Sequence, residues 1–112
     1  MLVLLSRGEV LLEKRPPTGI WGGLWSLPEF AASDRAEASV QRDWGLEPAN
    51  VTPLAPFEHA FTHFTLEVAP WRVEVERVRE AAFEKPATWL ALGELDGAAL
   101  PSPVKKLLRT LA

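Results

Sequence analysis

Apolar residues in this chain recur with two periods, and the changes between them mark out the elements. Met1 to Leu5 and Val10 to Arg15 surround Arg7-Gly8-Glu9, a pattern that predicts a β-hairpin. Pro16-Pro17-Thr18-Gly19 predicts a stiff loop, and Trp21-Gly22-Gly23-Leu24-Trp25 a turn into a strand ending at Leu27-Pro28. The period then becomes helical: Ala36, Val40 and Trp44 form one apolar stripe that Gly45 stops. Asp34 followed by Glu37 has the spacing of a capping box. Val51 to Leu54, Phe61 to Val68 and Trp71 to Val78 read as strands, the last alternating Val73 and Val75 with Glu74 and Glu76. Ser102 as N-cap and Pro103 as first helical residue open a closing helix, with Val104, Leu107, Leu108 and Leu111 on one face. Each helix must bury its stripe on a sheet. The expectation is therefore an α+β fold, a mixed and mostly antiparallel sheet flanked by two helices, with Val40, Trp44, Leu107 and Leu111 buried.

Composition narrows this picture. A chain of 112 residues, 47% hydrophobic and 24% charged, suits a single domain over residues 1–112 with one core. No repeat, low-complexity segment or internal linker interrupts it. The net charge of −3 argues against an autonomous nucleic-acid binder, so any DNA contact is expected to be local or shared with another domain. The absence of cysteine excludes disulfides, thiolate zinc sites and an iron–sulfur cluster within the chain. No apolar run reaches spanning length, and the expected location is cytoplasmic. Opening directly on an apolar strand is what a piece of a longer protein would do.

Two motifs carry a family resemblance. Gly23 and Glu29 have the opening spacing of the Nudix pyrophosphatase pattern, and Gly45-Leu46 fit its close. Counting back from Gly45, the stretch that should hold the metal ligands reads Ala38-Ser39-Val40-Gln41-Arg42-Asp43, after a spacer one residue too long. Asp43 alone remains of the carboxylate cluster, and Arg42 puts a positive charge where a magnesium ligand belongs. Glu29 is left without catalytic partners. This resembles a Nudix-like fold without Nudix chemistry.

The run from Arg15 to Phe30, containing Trp21-Gly22-Gly23-Leu24-Trp25, is similar to a signature of the C-terminal domain of bacterial adenine DNA glycosylases of the MutY type. So are His59-Ala60-Phe61-Thr62-His63-Phe64, which fits that family's His-any-Phe-Ser/Thr-His loop, the late Trp89-Leu90, and the ending from Leu100 to Leu108. The likeness covers essentially the whole chain. It implies a domain without catalysis of its own that recognises 8-oxoguanine opposite adenine in double-stranded DNA. It also implies a parent enzyme, a DNA N-glycosylase of base excision repair, whose N-terminal helix-hairpin-helix domain carries a 4Fe-4S cluster and is absent here. Its setting would be the bacterial cytoplasm, at the nucleoid. No cofactor is expected in this chain.

The resemblance directs attention to one edge of a base. Guanine N7 is a bare acceptor in the major groove. In 8-oxoguanine N7 carries a hydrogen and C8 a carbonyl oxygen, so a reader needs an acceptor for N7–H and a donor for O8. The Thr62 hydroxyl can do both, or share the task with its backbone N–H. His63 can reach a phosphate or sugar as a donor, and Phe61 can wedge or stack beside the base pair. His59, Lys14 and Arg15 are further candidates for phosphate contacts.

Each residue also has a plain structural reading. Phe61 and Phe64 in a strand-like run are candidates for the core, and Thr62 is a good strand former. His59 and His63, if both lie in one strand, stand about 13 Å apart, too far for a shared metal. The paired glycines read as backbone devices rather than a binding motif, and Lys105, Lys106 and Arg109 as surface charge on the last helix. Three functions stay open: the recognition domain, an active Nudix hydrolase that the lost carboxylates disfavour, and a domain used for protein contact alone.

Overall fold

A computed structural model describes residues 1–31, 33–76 and 86–111. The expected first hairpin is present: β1 (Leu2–Ser6) pairs antiparallel with β2 (Glu9–Lys14), Ser6 opposite Glu9. Arg7 and Gly8 between them have φ of 52° and 76°, as a two-residue turn matched to strand twist requires. β2 also pairs with β3 (Trp25–Ser26) and, along Glu9 to Glu13, with β8 (Ala87–Ala91). On its other edge β1 runs parallel to β7 (Trp71–Glu76), which pairs antiparallel with β4 (Glu47–Pro53). The result is a mixed, mostly antiparallel sheet of six strands. A second, two-stranded sheet is made by β5 (Phe57–Ala60) and β6 (Thr65–Val68).

Alternation along the strands feeds two cores. Leu2, Leu4, Leu11, Val73 and Val75 pack with Ala36, Val40 and Trp44 of α1 (Ala36–Trp44). Val3, Leu5, Val10 and Leu12 face the other way, onto Leu27, Leu95, Leu100 and the Val104–Leu108 ridge of α2 (Ser102–Arg109). With helices on both faces, every residue of β1 is buried, which explains its unbroken apolar run.

Several boundaries differ from expectation. Phe61 to Val68 is not one strand: residues 61–64 form the tip of the β5–β6 hairpin, closed by Phe61 N–H donating to Phe64 O at 2.7 Å. His59 on β5 and His63 in the tip therefore do not share a strand. β4 begins at Glu47, before the expected Val51, and bulges between Pro48 and Asn50. Its place at the sheet edge allows the proline. β5, β8 and a 3₁₀ segment (Leu92–Gly97) are elements that the sequence pattern does not predict. Val78, the expected end of the β7 strand, lies outside the described residues.

The helix ends also differ. Arg35, not Asp34, is the N-cap of α1; its guanidinium has no acceptor to offer the first-turn N–H groups, and the Asp34 carboxylate accepts from Arg42 instead. Pro101, not Ser102, caps α2. Val40 and Trp44 are buried, whereas Leu107 and Leu111 are half-buried. The helix ends at Arg109, so Leu111 lies beyond its last turn and rests on the margin of the second core.

Candidate nucleic-acid interface

The β5–β6 hairpin brings four of the sequence-selected residues to one end. His59 is half-buried on β5, Phe61 is half-buried at the start of the tip, and Thr62 and His63 are exposed. Phe64 is 46% exposed, the one large exposed apolar side chain among the described residues. It is held there by ring contacts. Phe64 stacks on Phe61 with centroids 4.7 Å apart, and Phe61 meets His59 edge-on at 4.8 Å. Thr62 and His63 thus project from a turn whose two flanking residues are stacked rings.

Beneath the tip stands Trp21, from the loop between β2 and β3. Its ring lies 6.0 Å from Phe61 and 6.1 Å from His59. Sequence reading missed this contact, since the two motifs are far apart in the chain; their shared aromatic content was the only available hint. Chemically, the assembly offers flat apolar faces for a base or sugar, a hydroxyl and an imidazole, all accessible. Such a surface can stack and hydrogen-bond to an unstacked or widened nucleic-acid edge.

Lys14 and Arg15, grouped with the tip as phosphate contacts, have partners of their own. The Lys14 ammonium lies 5.9 Å from the Trp25 ring. Arg15 pairs with Glu29 at 3.3 Å, and its Nε donates to Ile20 O at 3.4 Å. Glu29, which the spacing left without partners, is therefore engaged by Arg15, and both help hold the loop that carries Trp21.

The outer face of α1 is arranged differently. Arg42 Nε donates to Asp43 Oδ1 at 3.0 Å, and its Nη2 donates to Asp34 Oδ2 at 3.0 Å and to Asp43 Oδ2 at 3.2 Å. The bonds to Asp43 and then to Asp34 raise the guanidinium pKa further above its already high value. Two carboxylates are thus bound to an internal cation. No group of three His, Cys, Asp or Glu side chains able to hold a metal occurs among the described residues. Among those residues no helix is long and apolar enough to cross a membrane.

Comparison with known proteins agrees with this architecture. A family model described as NUDIX domain matches residues 1–110. The chain is similar to an adenine DNA glycosylase of Buchnera aphidicola subsp. Baizongia pistaciae, 25% identical over 107 residues that cover 96% of this chain and 30% of that protein. The adenine DNA glycosylase of Rattus norvegicus is 30% identical over 110 residues, covering 89% of this chain and 21% of that one. The chain spans less than a third of the length of these curated relatives. In a crystal structure with human PCNA, the C-terminal domain of mouse MUTYH superposes with a TM-score of 0.73 at 24% identity, covering 98% of this chain and 83% of that one.

Proposed function

This chain belongs to the NUDIX domain family, and we propose that it is the lesion-recognition domain of an A/G-specific adenine DNA glycosylase. In this reading it contacts 8-oxoguanine opposite adenine in duplex DNA. A glycosylase domain of the same polypeptide, carrying the 4Fe-4S cluster, excises the adenine. The observation that carries the proposal is the hairpin tip, where an exposed hydroxyl and imidazole project from a turn flanked by two stacked phenylalanines. The likeness of nearly the whole chain to adenine DNA glycosylases supports it.

Thr62 would read the N7–H and O8 edge, Phe61 would stack or wedge, and His63 would donate to the backbone, with His59 supporting Phe61. The family's hydrolytic chemistry is not supported. Magnesium needs clustered carboxylate oxygens, whereas Asp34 and Asp43 are already engaged by the guanidinium of Arg42. These residues do not fit the ion.

The test is a pair of substitutions in the polypeptide that joins this chain to its glycosylase domain. Thr62→Val should lower the preference for 8-oxoguanine:adenine over guanine:adenine by roughly 1–3 kcal/mol while leaving excision intact. His63→Ala should weaken binding to both duplexes evenly, as loss of a phosphate contact does. If both variants keep the full 8-oxoguanine preference, the tip is not the reader.

A further inference from the structure

The Trp21-Gly22-Gly23 turn is not used by the function proposed above, and its geometry is costly to maintain. Trp21 adopts φ of 54°, a left-handed conformation that a bulky residue holds only when its surroundings impose it. Three backbone bonds impose it here: Gly22 N–H to Gly19 O at 3.2 Å, Gly23 N–H to Pro16 O at 2.9 Å, and Leu24 N–H to Trp21 O at 3.1 Å. Gly22 packs so closely on the loop that a Cβ there would lie 2.6 Å from the Pro17 carbonyl oxygen. The loop is in turn anchored by Arg15 N–H donating to Leu24 O and by the Arg15–Glu29 pair.

The hairpin needs such an anchor. β5 and β6 form a sheet of their own, with no place in the six-stranded ladder. Toward α2 the hairpin leaves an open groove of about 410 Å³, lined by Phe57, His59, Pro103, Lys106 and Leu107 among others. The base of the hairpin is held by buried Val68 and by the Leu54 N–H to Pro70 O bond, and ring contact with Trp21, which itself leans on the second core, ties the tip to the rigid body.

We infer that Trp21 is the positioning residue of the recognition tip, its left-handed backbone aiming the indole at His59 and Phe61 so that Thr62 and His63 are presented in one orientation. This rests on the function proposed above, and the test separates the two. In the polypeptide that joins this chain to its glycosylase domain, Trp21→Leu, Trp21→Phe and Gly22→Ala are compared with wild type by NMR. Three readouts are followed: the Phe61 and His59 ring resonances, the core methyls of Leu4 and Leu108, and titration with 8-oxoguanine:adenine and guanine:adenine duplexes.

Trp21→Leu should shift the tip rings, leave the core methyls in place and lower the preference for the lesion about tenfold, the scale of one lost directional base contact. Trp21→Phe should restore most of the preference. Gly22→Ala should lower it without changing any ring, because the loop must move away from Pro17. If Trp21→Leu does not fold, Gly22→Ala and Trp21→Phe decide the question in the same way. Tip resonances or a lesion preference unchanged in a folded Trp21→Leu or Gly22→Ala protein would overturn the inference. A wild-type joined polypeptide with no lesion preference would instead sink the function proposed above; Trp21 is then judged by the ring resonances alone, and their staying put would overturn it.

Discussion

The outer face of α1 and the tip of β5–β6 each gather polar side chains at the surface, but only one leaves them available. On α1, Arg42 binds Asp34 and Asp43 through charge-assisted hydrogen bonds of 3.0 Å each. At the tip, Thr62 and His63 are exposed beside an unburied Phe64, and the rings below them supply rigidity without consuming their hydrogen-bonding capacity. A family whose usual chemistry sits on the first surface has here closed it with an internal ion pair. The second offers the donors and acceptors a ligand could use. Family membership identifies a scaffold, and on that scaffold a polar group is open to a ligand only where no internal partner has taken it.

The sharpest way to break this contrast is to damage the α1 side. Trp44→Ala removes a buried indole from the first core and should cost about 3–5 kcal/mol of stability, read by denaturant unfolding. The folded fraction should keep its full 8-oxoguanine preference. A selective loss of that preference at matched folded concentration would mean that α1 belongs to the recognition surface.

Phe61→Leu tests the other side. It keeps apolar bulk but removes the stacking on Phe64 and the edge contact with His59, so stability should fall by about 0.5–1.5 kcal/mol for each aromatic pair lost. Duplex binding should weaken disproportionately. A variant that binds as well as wild type would show that the stack is ornamental to recognition.

A smaller effect is expected in acid. Arg109 donates to Asp96, and this hydrogen bond, with the charge behind it, holds the Asp96 carboxyl below the ordinary aspartate range. The folded carboxyl titrates lower than the unfolded one. Its contribution is therefore complete above about pH 3.9 and is lost as pH falls through the folded value. Both side chains are exposed, so Asp96→Asn should only slightly flatten the loss of thermal stability in acid, and salt should mask the change. An acid-side profile that steepens on substitution would contradict the assignment.

The last expectation is no effect at all. Supplying magnesium should release neither phosphate nor pyrophosphate from 8-oxo-dGTP or other nucleotides, as followed by phosphate detection. Turnover that disappears with EDTA and with Asp43→Ala would reopen the α1 surface as an active site.

The amino-acid order by itself determined what depends on near neighbours. The unbroken apolar β1, the Arg7-Gly8 turn, the Ala36–Val40–Trp44 stripe stopped at Gly45, and the Val104–Leu108 ridge were all legible, because strand alternation and helical period are local properties. Long-range pairing decided the rest. Phe61 to Phe64 contains only residues at home in a strand, with no Gly or Pro to announce a turn. A backbone bond and ring stacking close it nevertheless. Pro48 and Asn50 are poor strand residues that an edge position and a bulge accommodate. Asp34 had a capping partner in sequence, yet its carboxylate found a stronger one in Arg42, eight residues on. Trp21 and Phe61 meet only because two separate motifs fold to the same place. Such contacts depend on the placement of whole elements, and no local period encodes that.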